Sequence, residues 1–93
     1  MPAPPLGRNF ELPDWLADHF TLEVDKTIRR LTSREFAVLS WAAAGKNNIE
    51  VAMILELSRQ MVERDLTAIY GVLEVEHRFA ATAHFLRWQQ AQE

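Results

Sequence analysis

Cysteine is absent from this sequence, which excludes disulfide bonds and thiolate-ligated metal sites. Glycine occurs three times and proline four times, too rarely for a low-complexity or disordered chain. The longest uninterrupted apolar run is Trp41-Ala42-Ala43-Ala44, far too short for a membrane span or the core of a signal peptide. We therefore expect a soluble, cytoplasmic, globular protein with no membrane partner.

Positive charge is also scarce. Ten Lys and Arg oppose thirteen Asp and Glu, a net charge of −3. A protein that binds nucleic acid is usually basic, because each neutralised phosphate releases a counterion. Any nucleic-acid site on this chain must therefore depend on a local group of cations.

Groups that carry catalysis are missing as well. The three histidines, His19, His77 and His84, have no metal-ligand spacing, and no glycine-rich phosphate loop occurs. No serine stands in the surroundings of a nucleophile. We expect no enzyme activity, no cofactor, no metal site and no small-molecule ligand.

Ninety-three residues are enough for one domain with a modest core. We divide the chain into residues 1–30, a tail with a short helix, and residues 31–93, the main domain. Phe10–Phe20 is predicted to be an amphipathic helix, since Leu12, Leu16 and Phe20 are four residues apart. Thr21–Arg30 has no clear pattern.

Helix signals become sharp after Leu31. Thr32 followed by Glu35 is a capping box, and Gly45 is placed to end that helix. Asn47 or Asn48 begins a shorter second helix.

A third helix follows, with Ser58 as its N-cap. Val62, Leu66, Ile69 and Leu73 form one buried stripe along it. A break is expected around Glu74 to Glu76, and a last helix from about His77 to Gln90. Because only a few residues join the second and third helices, the pattern predicts a helix-turn-helix.

The order of these residues resembles the LuxR/GerE family domain. The matches begin with Leu31-Thr32-Ser33-Arg34-Glu35 and Val38-Leu39, and continue through Ala43-Ala44-Gly45-Lys46-Asn47-Asn48, Glu50-Val51-Ala52 and Ile54-Leu55, then Ser58, Val62, Leu66, Ile69, Leu73, Val75, Arg78 and Ala81. The resemblance implies an all-α, four-helix domain whose third helix enters the DNA major groove and whose last helix often forms a dimer contact. Since thirty residues precede Leu31, against about 100–150 for a typical domain, we expect a single-domain member without a sensor domain and with a short N-terminal helical extension.

The third helix departs from the family pattern. Where members usually carry Thr-Val-Lys and then a histidine two positions on, this sequence has Met61-Val62-Glu63 and Asp65. An anion has replaced a cation that typically faces DNA. If Glu63 and Asp65 have removed DNA contacts, the domain has lost part of its affinity for DNA.

Helix geometry selects the candidate DNA-binding residues. With the stripe inward, Gln60, Arg64, Thr67 and Gly71 point outward and Glu63 lies on the flank of that face. Gln60 suits adenine, Arg64 suits guanine and Glu63 can accept from cytosine. The resemblance adds Lys46 and Asn48, which stand where the family contacts backbone phosphate. The DNA-binding candidates are then Lys46, Asn48, Ser58, Arg59, Gln60, Glu63, Arg64 and Thr67. The alternative is an ordinary solvated helix face with an Arg59–Glu63 ion pair.

The last helix carries two apolar faces. The family pattern places Ala81 and Phe85 in the core, which leaves Phe79, Ala83 and Leu86 in need of cover. Either the N-terminal helix with Trp15 and Leu16 covers them, or a second chain does. Trp41 also faces away from the core and is expected to join that contact.

Two functions remain open from the sequence. The first is a transcription regulator that binds double-stranded DNA as a homodimer. The second is a DNA-binding-impaired interaction module, an antagonist or adaptor that forms heterodimers with a full-length LuxR-type regulator.

Overall fold

The protein was analysed as a computed structural model, which describes residues 24–92. Four complete helices lie in this range: α1 (Ser33–Ala43), α2 (Asn48–Leu55), α3 (Arg59–Leu73) and α4 (Arg78–Ala91). Residues 24–28 are also helical. No strand occurs between residues 24 and 92. The predicted all-α, four-helix fold is confirmed.

Helix α1 begins where the sequence predicted. The Thr32 hydroxyl accepts from the Glu35 amide at 3.0 Å, and Glu35 Oε1 accepts from the Thr32 amide at 2.9 Å. These bonds satisfy two amides that a helix start otherwise leaves without partners. The helix ends before Gly45, whose φ of +96° is a backbone conformation that glycine adopts without strain.

Helix α2 is short and tightly joined to α3. Asn47, one of the two predicted caps, accepts from the Glu50 amide at 2.8 Å, and the Glu50 side chain completes a second capping box. Glu56 ends α2 in the left-handed region at φ 56°. Glu56, Leu57 and Ser58 join the two helices, and Ser58 caps α3 through its side chain, which accepts from the Met61 amide at 3.1 Å. The predicted helix-turn-helix is therefore present.

Helix α3 buries the predicted stripe of Val62, Leu66, Ile69 and Leu73. It ends at Glu74, another non-glycine residue in the left-handed region, with φ 57°. The break predicted around Glu74 to Glu76 is confirmed. His77 then caps α4 through Nδ1, which accepts from the Ala80 amide at 3.2 Å.

Helix α4 closes the core with Ala81 and Phe85, both buried as predicted. Phe36 of α1 packs edge-on against Phe85 and Trp88, with ring centroids 5.6 and 5.4 Å away. Edge-to-face contacts suit the quadrupoles of aromatic rings. The three rings fix α4 against α1.

Residues before α1 contribute to the same core. Val24 and Ile28, one helical turn apart, are buried, and the Trp88 indole donates to Asp25 at 3.0 Å. The stretch Thr21–Arg30 had no clear pattern in the sequence. Its residues 24–28 are helical, and this helical turn places Val24 and Ile28 on one buried face. The predicted helix Phe10–Phe20 lies outside the described residues.

Candidate nucleic-acid interface

The outward face of α3 contains the residues that the position of the buried stripe predicted. Gln60, Arg64, Thr67 and Gly71 are all exposed, opposite the buried stripe. The Thr67 hydroxyl donates to the Glu63 carbonyl at 3.1 Å, so its oxygen faces its own helix backbone. Gln60 and Arg64 remain as the long polar side chains of this row.

Glu63 is exposed beside that row and is paired within the helix. Its Oε1 atom accepts from Arg59 Nε at 3.1 Å, and the two side chains are 48% and 65% exposed. An exposed pair of this kind contributes only about 0.3–0.5 kcal/mol. The ion pair holds Arg59 at the first turn of α3 and partly neutralises it.

Next to the start of α3 lies an open depression of about 630 Å³. It is bounded by the end of α1, the start of α2 and the first residues of α3 and α4. Its lining residues include the cations Lys46, Arg59 and Arg78, together with Asn47 and Asn48. The predicted residues Lys46, Asn48 and Arg59 are therefore brought together, and they share one concave surface with the amino end of α2.

The sequence analysis named Arg78 only as a match to the family pattern and gave it no role in the site. Its guanidinium donates from Nη1 to Asn48 Oδ1 at 2.5 Å, and from Nη2 to the Lys46 carbonyl. It thereby fastens the loop before α2 to the start of α4. The only sequence signal was its place in the pattern, because thirty residues separate Arg78 from Asn48.

Asp65 does not lie on the outward face. It is 4% exposed, and both of its oxygens accept from Arg34 of α1: Oδ2 from Nε at 2.8 Å and Oδ1 from Nη2 at 2.9 Å. The hydrogen bonds and the charge of Asp65 raise the pKa of Arg34 above its ordinary value. The aspartate that stands where the family usually has a histidine is therefore paired within the domain. Of the two departures from the family pattern, only Glu63 faces outward.

The outer face of α2 carries no cation. Met53 is 74% exposed and Ile49 is 55% exposed, one turn apart, and Ile54 lies on their flank. Glu50 and Glu56 are exposed on the same side. A helix face of this composition lacks the cations that phosphate contacts require.

The second predicted surface lies on α4. Phe79 is 81% exposed and Leu86 is 41% exposed, and Ala83 lies between them on the same helix face. Trp41 on α1 is also exposed. The residues predicted to cover this surface from within the chain, Trp15 and Leu16, lie outside the described residues.

His84, beside this surface on α4, has a buried Nε2 atom with no hydrogen-bond partner. Burial lowers the pKa of His84, and the nearby positive charge of Arg87 lowers it further. The neutral imidazole is therefore the form that the folded protein favours near neutral pH.

Residues 24–92 contain no group of histidine, aspartate or glutamate side chains that could hold a metal ion. Across the same residues, no helix combines the length and the apolar character that crossing a bilayer demands.

The four helices, the three-residue turn between α2 and α3 and the exposed face of α3 define a helix-turn-helix domain of the kind found in DNA-binding transcription regulators. The model of the family described as GerE, bacterial regulatory proteins of the luxR family, matches residues 29–85. The chain belongs to this family. Neither the curated proteins nor the solved structures gave a match.

Proposed function

We propose that the chain is a sequence-specific DNA-binding transcription regulator that acts as a dimer, with α3 inserted into the major groove. The observation that carries this proposal is the exposed row of Gln60, Arg64 and Thr67 along a rigid helix. The major groove is about 12 Å wide and admits one α-helix. In that position Arg64 and Gln60 meet base edges.

The cationic depression supplies the backbone contacts in this proposal. Lys46, Arg59 and Arg78 line it beside the amino end of α2. Free amides and the positive end of a helix dipole favour phosphate oxygens. Asn48 contributes through its amide group, although its Oδ1 atom is held by Arg78. Ser58 acts as the cap that sets where α3 begins.

The α4 surface supplies the dimer contact in this proposal. Phe79, Ala83 and Leu86 form an apolar row on a helix that already buries Ala81 and Phe85 in the core. Burying the row against the same row of a second copy gives a two-fold contact, the commonest symmetry of protein dimers. Two copies then present two α3 helices to successive half-sites about 34 Å apart.

A direct test measures binding to promoter DNA by fluorescence anisotropy at two salt concentrations. We expect affinity that falls steeply with salt, and a loss of roughly tenfold or more in the variant Arg64→Ala at the preferred sequence. Arg29→Ala, which removes an exposed cation that lies outside the α3 row, is the matched control and should bind as the unmodified chain does. If no duplex is bound at either salt concentration, the proposal fails.

A second candidate function is an interaction module that binds a full-length LuxR-type regulator and weakens its hold on DNA. Two observations favour it: Glu63 beside the α3 face, and the outer α2 surface formed by Ile49, Met53 and Ile54. Mixing the chain with such a regulator distinguishes the two functions. An antagonist lowers the regulator's DNA affinity without binding the duplex itself.

A further inference from the structure

The two sides of α3 differ in how they reach a DNA backbone. At about 100° per residue, Arg59 and Asp65 fall on opposite sides of the exposed row of Gln60, Arg64 and Thr67. The Arg59 side adjoins the cationic depression. The Asp65 side adjoins the start of α1, where Arg34 lies.

A helix in the major groove meets both strands. The helix with its side chains is about 10–12 Å across, and the groove is about 12 Å wide. The phosphates of one DNA strand therefore lie along one side of the protein helix, and those of the other strand lie along the opposite side. The depression near Arg59 serves one strand, so the side near Asp65 must face the other.

Arg34 is held in a fixed position on that second side. Its Nε and Nη2 atoms donate to Asp65. The Nη1 amino group is the part of the guanidinium that does not bond to Asp65. The Arg34 side chain is 50% exposed whereas that of Asp65 is 6% exposed. The carboxylate is thus inside and the outer edge of the guanidinium faces solvent, as a side chain that binds phosphate requires.

The α3 residues that follow Asp65 along the Arg34 side of the helix have small side chains. Ala68, one turn after Asp65, is exposed and small. Gly71, one turn further, has no atom within 4 Å of where a Cβ would stand. A DNA backbone can therefore approach this half of α3 closely and reach the Arg34 guanidinium.

The charges around Arg34 permit such a contact. The oxygens of Asp65 are both occupied by Arg34 itself, and Glu35 Oε1 is turned back to the Thr32 amide. Arg30 is exposed, four residues before Arg34. The exposed charges here are thus those of Arg30 and Arg34, although the anions Asp65 and Glu35 balance them in number.

We propose that Arg34, held by Asp65, contacts the phosphate backbone of the DNA strand on the α1 side of α3. Asp65 is a positioning residue in this arrangement, and Arg34 is the group that touches the ligand. The inference rests on the proposed DNA-binding function and adds to it a second backbone contact contributed by α1.

The test removes the pair without changing the net charge. The double variant R34Q/D65N replaces both charged groups with amides that can still bond to each other, so no lone charge is left buried. The control is R29Q/D25N, which removes another Arg–Asp pair, one that is tied to Trp88 of α4. Circular dichroism and thermal melting establish that each variant is folded.

Binding is measured by anisotropy on a labelled duplex of roughly 30 base pairs and arbitrary sequence, about three helical turns, because phosphate contacts are independent of sequence. For R34Q/D65N we expect affinity at low salt to fall roughly five- to tenfold, and the slope of log K against log salt to become shallower by about one per bound protomer. R34K, which keeps the charge, should retain most of the slope, and R29Q/D25N should match the unmodified chain.

Each outcome bears on the proposal. If the unmodified chain binds and the folded R34Q/D65N variant has the same slope, the Arg34 contact is refuted and the proposed function stands. If R34Q/D65N does not fold, R34M/D65L takes its place, since apolar side chains of similar volume can replace a buried ion pair without loss of stability: a slope equal to that of the unmodified chain refutes the contact. If the unmodified chain does not bind the duplex, both proposals fail.

Discussion

Arg78 and Asn48 join the amino ends of α4 and α2, with Nη1 of the arginine 2.5 Å from Oδ1 of the asparagine. The same guanidinium also donates to the Lys46 carbonyl. Through these two bonds the arginine joins the starts of the two helices. The cationic depression depends on this arrangement.

Replacing Arg78 should therefore loosen the depression. For Arg78→Ala we expect a loss of about 1–3 kcal/mol in the free energy of unfolding, because two acceptors lose a charged donor. DNA affinity should fall as well. Urea titration measures the first effect and anisotropy the second. Arg78→Lys keeps the charge but cannot form both bonds, so it should be intermediate; a lysine variant as stable as the native chain would contradict this role.

Glu63 should oppose DNA binding. Glu63→Gln removes an anion from the side of the α3 face and releases Arg59 from its ion pair, so we expect DNA affinity to rise roughly two- to tenfold. Stability should change by no more than about 0.5 kcal/mol. Asp65 must be left unchanged in this experiment because it is bonded to Arg34. Unaltered affinity would show that Glu63 lies away from the DNA.

The α4 surface should control self-association. Leu86→Glu places a charge at one end of the row formed by Phe79, Ala83 and Leu86, so we expect the dimer to dissociate to monomers in sedimentation equilibrium. Ala91→Glu adds the same charge to an exposed position of α4 outside that row and should leave the dimer intact. A monomeric native chain would refute the dimer contact directly.

Acid should destabilise the fold through His84. Its pKa in the folded protein lies below the ordinary value of 6.5, so the unfolded chain binds more protons at and below that pH. The contribution is fully present above pH 6.5 and is lost as the pH falls below it. Melting temperatures of the native chain should thus decline between about pH 7.5 and about pH 5.5, and His84→Gln should flatten that decline. Parallel profiles would contradict the assignment.

Glu74 should be a strained helix end. A non-glycine residue in the left-handed region costs about 1–2 kcal/mol, whereas the added freedom of glycine in the unfolded chain costs about 0.4–1 kcal/mol. Glu74→Gly should therefore stabilise the protein by about 0.5–1 kcal/mol in chemical denaturation. Glu74→Ala retains the strain and serves as the control. A glycine variant less stable than the alanine variant would contradict this account.

The fold was largely predictable because its signals are local. Thr32, Asn47 and Ser58 each cap a helix within three residues, and the α3 stripe repeats within one element. The ends at Glu56 and Glu74 carry no glycine, yet the change of pattern around them was sufficient. Residues 24–28 were undecided because two buried positions are too few to define a period.

The site was predictable where it depended on one helix. The exposure of Gln60, Arg64 and Thr67 follows from the position of the stripe. The partners of Asp65 and Arg78 do not, because Arg34 and Asn48 are distant in the sequence and only tertiary packing brings them together. The sequence therefore showed that Asp65 departs from the family histidine, but not that it is paired with Arg34. Whether these side chains contact DNA stays a prediction.

The helical residues before α1 affect where this domain can be cut. Val24, Ile28 and Trp88 pack with the core, but the recognisable family segment spans residues 29–85 and omits all three. The cooperative folding unit is thus longer at both ends than the segment that homology marks. A fragment trimmed to the family boundaries should expose the rings of Phe36 and Phe85, bind hydrophobic dyes and melt without a sharp transition.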